Sequence, residues 1–161
     1  MSITKRQARM AQLRNMKSYL GELRKLLRRD VCVEELLSLD QTASLQSSFG
    51  EIDSKVRNSI EIPFEHRSGS RFDAYINRLA EANASEVYVS IRYSHECGMF
   101  LADSLKIIDI RGFSFDYPNE HLIFITSDFR DRLLLDYSID DVGLGVLMID
   151  TEGANWPCVA Y

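Results

Sequence analysis

The hydrophobic pattern of this chain changes its period near residues 84–85. Before that point, apolar residues recur every three or four positions, as they do on one face of a helix. After it, Val87, Val89 and Ile91 alternate with less apolar neighbours, which is the period of a half-buried strand. Because the helical and extended patterns are grouped rather than interleaved, the order predicts an α+β fold with N-terminal helices followed by an antiparallel β-sheet.

Helices are predicted over residues 4–29 and 33–48, over a third segment from 49 to 60, and from Ser70 onward. Pro63 ends the third segment because it lacks an N–H donor. The first helix has an apolar seam formed by Leu13, Met16, Leu20, Leu23 and Leu27. The fourth has an apolar stripe formed by Phe72, Tyr75, Ile76 and Leu79.

Strands are predicted at residues 99–102, 105–110, 121–126, 132–137, 145–150 and 158–161, after the strand that contains Val87. The short connections around residues 127–130 and 139–142 favour antiparallel neighbours. The chain of 161 residues is long enough to bury a sizeable core. We therefore expect a single domain over 1–161, with a helical part at 1–84 and a β-rich part at 85–161.

Charge is distributed very unevenly along the chain. Residues 1–30 have nine Lys and Arg against two acids, whereas residues 85–161 have five basic and thirteen acidic residues. A basic helical arm thus precedes an acidic, β-rich body. Such an imbalance influences which partners a protein attracts and how fast they associate, although it does not choose a fold.

A cluster of acids in the last three predicted strands and turns is the candidate binding site. Its residues are Asp128, Asp131, Asp136, Tyr137, Asp140, Asp141, Asp150 and Glu152. If the strands pair as predicted, several of these side chains share one rim that attracts a basic partner, with Tyr137, Phe129 and Trp156 as aromatic anchors. The alternative is that Asp is simply a good turn residue. The spacing does not match a calcium-binding loop, and neither a metal nor another cofactor is expected.

His95 and Cys97 suggest a second function, a small enzyme. A thiol two residues from an imidazole can be an activated nucleophile, although an unreactive turn or strand end explains the same residues. No phosphate-binding, dinucleotide-binding, serine-hydrolase or zinc-protease motif is present. The absence of these motifs favours a protein without catalytic activity.

The basic first helix suggests a third function, a regulatory protein that binds nucleic acid through Lys and Arg. The acidic remainder of the chain would repel a phosphate backbone, so nucleic acid is an unlikely partner. Packing of the helix on its own protein, or homodimerisation through the apolar seam, would explain the same residues. No apolar run approaches the ~20 residues that span a membrane, and no membrane contact is expected. Three widely spaced cysteines are typical of reduced thiols, and we expect a cytoplasmic protein.

The C-terminal run HLIFITSDFRDRLLLDYSIDDVGLGVLMIDTEG resembles the closing meander of small cytosolic immunity proteins. These proteins neutralise the toxins of bacterial contact-dependent growth inhibition and other polymorphic toxin systems. The resemblance rests on a strand that ends at Asp128, a strand that ends at Asp136–Tyr137, and the Gly-rich turn and strand that follow. It implies a binding protein without catalytic activity, which covers an essential surface of a single cognate toxin, usually a basic nuclease.

Overall fold

The computed structural model describes residues 3–52, 56–116 and 120–161. These residues form four α-helices and six β-strands, joined by short 3-10 turns. The helices are α1 (Ile3–Leu27), α2 (Leu39–Ser48), α3 (Ser70–Ala82) and the single turn α4 (Ser94–Cys97). The strands are β1 (Arg57–Pro63), β2 (Val87–Ser90), β3 (Phe100–Ala102), β4 (His121–Thr126), β5 (Asp131–Ile139) and β6 (Gly145–Gly153).

The six strands form one antiparallel sheet in the order β1-β6-β5-β4-β2-β3. The meander β4-β5-β6 is the centre of this sheet. The α+β fold class is therefore confirmed. One strand comes from the part of the chain that the sequence predicts to be helical, because β1 joins the sheet beside β6.

Strand alternation gives the sheet two faces. The inner face is apolar and is buried in one hydrophobic cluster with α1, α3 and Trp156. The alternate residues form the second face, here named the outer face: Arg57, Ser59, Glu61, Tyr88, Ser90, His121, Ile123, Ile125, Arg132, Leu134, Asp136, Met148, Asp150 and Glu152. Its apolar members Ile123, Leu134 and Met148 are only half-buried.

Helix α1 packs on the core through a stripe different from the predicted seam. Leu23 and Leu27 are buried, but Leu13 is 66% exposed. The core instead takes up Tyr19, whose hydroxyl donates a 2.6 Å hydrogen bond to the carbonyl oxygen of Gly98. The rest of the protein covers only the C-terminal half of this helix, and its buried stripe includes Tyr19 but not Leu13. The apolar periodicity of the sequence does not show which part of the helix is covered.

The prediction for residues 33–60 is wrong in two places. The second helix begins at Leu39, because Ser38 caps it through a reciprocal pair of hydrogen bonds with Gln41. The predicted third helix is a 3-10 turn at Phe49–Glu51 followed by strand β1, and its residues 53–55 lie outside the described residues. Ile60 has helical spacing to Phe49, but strand pairing with Ile149 decides its conformation.

Two predicted strands are also absent from the structure. In place of the predicted strand at 105–110 there are 3-10 turns at Leu105–Ile107 and Ile110–Gly112. In place of the predicted edge strand at 158–161, a 3-10 turn at Trp156–Cys158 is followed by residues without regular structure. Both segments contain apolar residues that fill the core without pairing with a strand. The stripe of α3 is confirmed, since all four of its residues are buried.

Gly21 offers a stabilising substitution. It lies within α1, and a Cβ atom added there meets no atom within 4 Å. Because alanine is favoured over glycine inside a helix, we expect Gly21→Ala to raise the free energy of unfolding by roughly 0.5–1 kcal/mol, measured by urea denaturation. Gly98→Ala is the opposite control, since Gly98 has φ of 101° and its added Cβ would lie 2.2 Å from the carbonyl oxygen of Leu37. A destabilised Gly21→Ala protein would contradict this account of α1.

Candidate protein-binding surface

The residues predicted to bind a partner lie in three different environments. The buried members are Asp131, Asp150 and Glu152. The half-buried members are Asp136, Tyr137 and Asp140, and the exposed members are Asp128 and Asp141. The acids therefore do not form one continuous rim. The carboxylates of the buried members form hydrogen bonds or ion pairs with other residues of the protein.

Asp131 is a structural residue. Its side chain is fully buried, and its carboxylate accepts hydrogen bonds from the backbone N–H groups of Asn155 and Trp156 at 2.7 and 2.9 Å. The side-chain amides of Asn155 and Asn83 donate two more, at 2.7 and 2.8 Å. This carboxylate fastens the C-terminal segment and the end of α3 to β5. It is not available to a partner.

Asp150 and Glu152 belong to an ion-pair network on the outer face. Arg57 donates to Asp150 at 2.8 Å, Ser59 also donates to Asp150, and Arg132 pairs with Glu152. All five residues lie on the neighbouring strands β1, β6 and β5. Opposite charges directly across a sheet stabilise strand pairing. The network neutralises the two acids that the sequence assigns to the partner.

Asp136 lies in a different part of the outer face. The strand register places Glu61, Met148, Asp136 and His121 in one row across β1, β6, β5 and β4. The Oδ1 atom of Asp136 is buried and has no hydrogen-bond partner among the described residues. Glu61, by contrast, is exposed. These two acids are therefore less neutralised than the pair around Arg57.

The predicted aromatic anchors take part in packing. Tyr137 lies on the inner face, where its ring centroid is 4.3 Å from that of Phe64. Trp156 is fully buried and donates from Nε1 to the carbonyl oxygen of Leu79 at 2.9 Å. Phe129, in the turn before β5, is half-buried, and its ring centroid lies 6.0 Å from that of Tyr88. Trp156 is therefore not an exposed anchor.

The turn between β5 and β6 forms the most exposed apolar feature near the predicted site. We name Ile139, Asp140, Asp141, Val142 and Leu144 the hairpin surface. Val142 and Leu144 are 78% and 64% exposed, and Ile139 is 51% exposed. Asp141 is exposed beside them. This is a small apolar patch with an acidic rim.

Asp140 holds the hairpin surface in a defined shape. Its Oδ1 accepts hydrogen bonds from the N–H groups of Val142 and Leu144 at 3.0 and 2.8 Å. Its own backbone bonds to Leu144 and Gly143 close the turn, in which Gly143 has a positive φ of 85°. A loop that is ordered before binding loses less conformational entropy when a partner docks.

The hairpin surface has the composition of a small interaction site. The buried centre of an interface is more apolar than its polar rim, and acids at the rim add selectivity and association rate. The acidic pattern of the sequence predicted Asp140 and Asp141 as binding residues but not Val142 and Leu144. The available signal was the presence of large apolar residues within a turn that joins two strands, where polar residues are usual.

A cavity of about 730 Å³ lies at another corner of the outer face, between the end of α2, α4 and the start of β4. His95 Nε2 lies 3.4 Å from Glu96 Oε1, and Asn15 donates to the other oxygen of Glu96. Tyr93, in the lining, has a left-handed φ of 70°, which is uncommon for a residue with a side chain. The cavity is large enough for a small molecule, but Cys97 is not among its lining residues.

Cys97 does not have the properties of a nucleophile. It lies in α4 rather than in a strand, so that His95, two positions earlier, points to a different side of the helical turn. Burial raises the pKa of the Cys97 thiol to about 11. The thiol is therefore protonated and shielded at neutral pH, and the combination of His95 and Cys97 does not form an active site.

Thiol reactivity tests this assignment. Cys32 and Cys158 are exposed, whereas Cys97 is buried. We expect two thiols to react rapidly with a disulfide reagent such as DTNB in the native protein, and the third to react only after unfolding in denaturant. Cys97→Ser identifies the slow thiol. Rapid reaction of Cys97 at neutral pH would restore the enzyme hypothesis.

The N-terminal half of α1 extends away from the core. Residues 4–10, 13 and 14 are exposed, and Arg6, Arg9, Arg14 and Lys17 have no ion-pair partner among the described residues. Basic residues nearer the C-terminal end, in contrast, are paired, such as Arg28 with Asp109 at 2.5 Å. The unpaired charges are therefore concentrated at one end of the helix.

The described residues contain no group of three or more His, Cys, Asp or Glu side chains placed to hold a metal ion. Within the same residues, no helix combines the length and the apolar character that crossing a membrane requires. Comparison of the chain with protein-family models, with curated proteins and with solved structures found no match.

Proposed function

We propose that this protein is an immunity-type inhibitor, which binds and neutralises a cognate basic bacterial toxin through the hairpin surface. The observation that supports this proposal most strongly is the pre-ordered turn in which Val142 and Leu144 are exposed beside Asp141. Inhibition would occur by coverage of the toxin surface and needs no catalytic residue or cofactor. The cytoplasm is the proposed place of action.

The charge of the chain supports a basic partner. Residues 85–161 have an excess of eight acids over bases, although internal ion pairs neutralise Asp150 and Glu152. Asp136 and Asp141 remain as acids without an ion-pair partner among the described residues. They can attract Lys and Arg on a toxin from a distance and thereby raise the association rate.

Affinity capture from the native lysate, followed by a growth assay, tests the proposal. The tagged protein should retain one basic protein in equal amount, and high salt should weaken the capture. The captured protein, expressed alone, should stop growth, and co-expression of the inhibitor should restore it. A captured protein that is harmless when expressed alone would contradict the proposal, as would the capture of no protein.

Nucleic-acid binding through α1 is a second candidate function. It is favoured by the exposed and unpaired Arg6, Arg9, Arg14 and Lys17. Affinity for DNA or RNA would then fall steeply with salt. The fourfold change of these residues to Glu separates this candidate from the inhibitor hypothesis. Because their side chains lie outside the core, the variant should fold, lose nucleic acid and still retain the protein toxin.

A further inference from the structure

The two edges of the sheet are protected differently. At the β3 edge, Leu36 forms an isolated bridge with Phe100, and the N–H of Leu37 donates to the carbonyl oxygen of Met99 at 2.9 Å. At the other edge, no described segment pairs with the outer side of β1. The free side of an edge strand of seven residues is a template for another strand, and proteins usually shield such an edge.

The strand register shows which backbone groups of β1 point outward. The N–H of Gly153 donates to the carbonyl oxygen of Val56 at 3.1 Å, so Val56 is directed toward β6. Because this direction alternates along an antiparallel strand, Asn58, Ile60 and Ile62 are also directed toward β6. The N–H and C=O groups of Arg57, Ser59 and Glu61 therefore point away from the sheet.

We propose that β1 pairs antiparallel with β1 of a second copy of this chain, about a twofold axis at Ser59. In this register Arg57 lies opposite the partner's Glu61, Ser59 lies opposite the partner's Ser59, and Glu61 lies opposite the partner's Arg57. Each of these three pairs exchanges two backbone hydrogen bonds, about six in all. The two six-stranded sheets become one continuous sheet.

Charge complementarity favours a second copy over an unrelated strand. Glu61 is exposed and has no ion-pair partner among the residues of the described ranges. The side chain of Arg57 is 54% exposed even with its ion pair to Asp150. Both side chains lie on the outer face, so each arginine meets the partner's glutamate on the same side of the sheet. A twofold axis at Arg57 or at Glu61 would instead bring like charges together. The register at Ser59 is thus self-complementary.

Pro63 limits the register further. Proline has no N–H, so a register shifted toward Pro63 loses a backbone hydrogen bond. The shift also separates Arg57 from the partner's Glu61. The chain therefore favours one alignment by charge and by hydrogen bonding together. This dimer uses neither the hairpin surface nor α1, and it does not depend on the proposed function.

Sedimentation velocity of the full chain between about 1 and 100 µM tests the dimer. The mass should rise from 18.5 kDa toward about 37 kDa with increasing concentration. Glu61→Lys places like charges at both ends of the interface, and we expect it to raise the dimer dissociation constant at least tenfold. Glu65→Lys, the same charge change on an exposed residue just beyond β1, should leave the constant unchanged.

A second pair of variants tests the backbone hydrogen bonds. Glu61→Pro removes an N–H that β6 does not use, whereas Glu61→Ala keeps it. Circular dichroism establishes that each variant is folded. We expect the proline variant to be monomeric and the alanine variant to dimerise detectably. A monomeric wild-type protein at 100 µM would overturn the proposal. So would a dimer that both Glu61→Lys and Glu61→Pro leave intact, which would instead implicate α1.

Discussion

Replacing Asp131 with alanine should lower the free energy of unfolding by roughly 3–5 kcal/mol, a larger loss than most single substitutions cause. The carboxylate is fully buried and accepts four hydrogen bonds, two from backbone N–H groups and two from the side chains of Asn83 and Asn155. Alanine leaves these donors without their acceptor inside the protein. Each unsatisfied buried donor costs about 1–3 kcal/mol.

Urea denaturation followed by circular dichroism measures this loss. Asp141→Ala is the matched control, because it removes the same carboxylate from an exposed position and should change stability by less than about 0.5 kcal/mol. Asp131→Asn should also destabilise, since an amide can replace only part of the acceptor capacity. Equal stability of Asp131→Ala and Asp141→Ala would contradict the structural role of Asp131. It would support the partner-binding role that the sequence predicts for this residue.

The double variant Val142→Ala, Leu144→Ala should weaken binding of the cognate toxin about 100-fold, mainly through faster dissociation. Both side chains are the most exposed apolar groups of the hairpin surface in the free protein. Truncation of apolar side chains that a partner buries removes their share of the binding energy, and about 100-fold corresponds to roughly 2.7 kcal/mol. Ile107→Ala, at an exposed apolar residue elsewhere, is the control.

The acids of the hairpin surface should affect the association rate, whereas its apolar residues affect the dissociation rate. Asp141→Lys should slow association and reduce its dependence on salt, because Asp141 is exposed and its side chain bonds to none of the described residues of the loop. Asp140 is a poor choice for this test, since it fixes the turn through Val142 and Leu144. Surface plasmon resonance at several salt concentrations separates the two rates. Unchanged kinetics in both variants would exclude the hairpin surface as the toxin contact.

The central meander is the part of the sheet that hydrophobic periodicity in the sequence predicts well. The strand at 121–126 matches β4, and β5 and β6 contain the predicted segments 132–137 and 145–150. These strands are predictable because alternation of apolar residues and short turns are local properties. Ile60 and residues 105–110 were not predictable in this way. Whether such an apolar segment pairs with a strand or fills the core depends on residues distant in sequence.

The candidate site was less predictable than the fold. Acidic residues that look alike in the sequence divide into a buried anchor at Asp131, a neutralised pair at Asp150 and Glu152, and an exposed acid at Asp141. The partners that make this division, such as Asn155 for Asp131 and Arg57 for Asp150, are 24 and 93 residues away in the chain. The amino-acid composition gives the number of charged residues but not which of them form ion pairs.

The amino-acid sequence by itself determined the α+β class, the helix α3, the central antiparallel meander and the excess of acid in the C-terminal half. These properties follow from local periodicity, turn residues and composition, which each segment carries alone. Only the tertiary structure decided that β1 is an edge strand of the sheet, that the buried stripe of α1 includes Tyr19, and that Val142 and Leu144 are exposed. Those properties arise from contacts between segments far apart in the chain, and burial and charge pairing exist only once these segments meet.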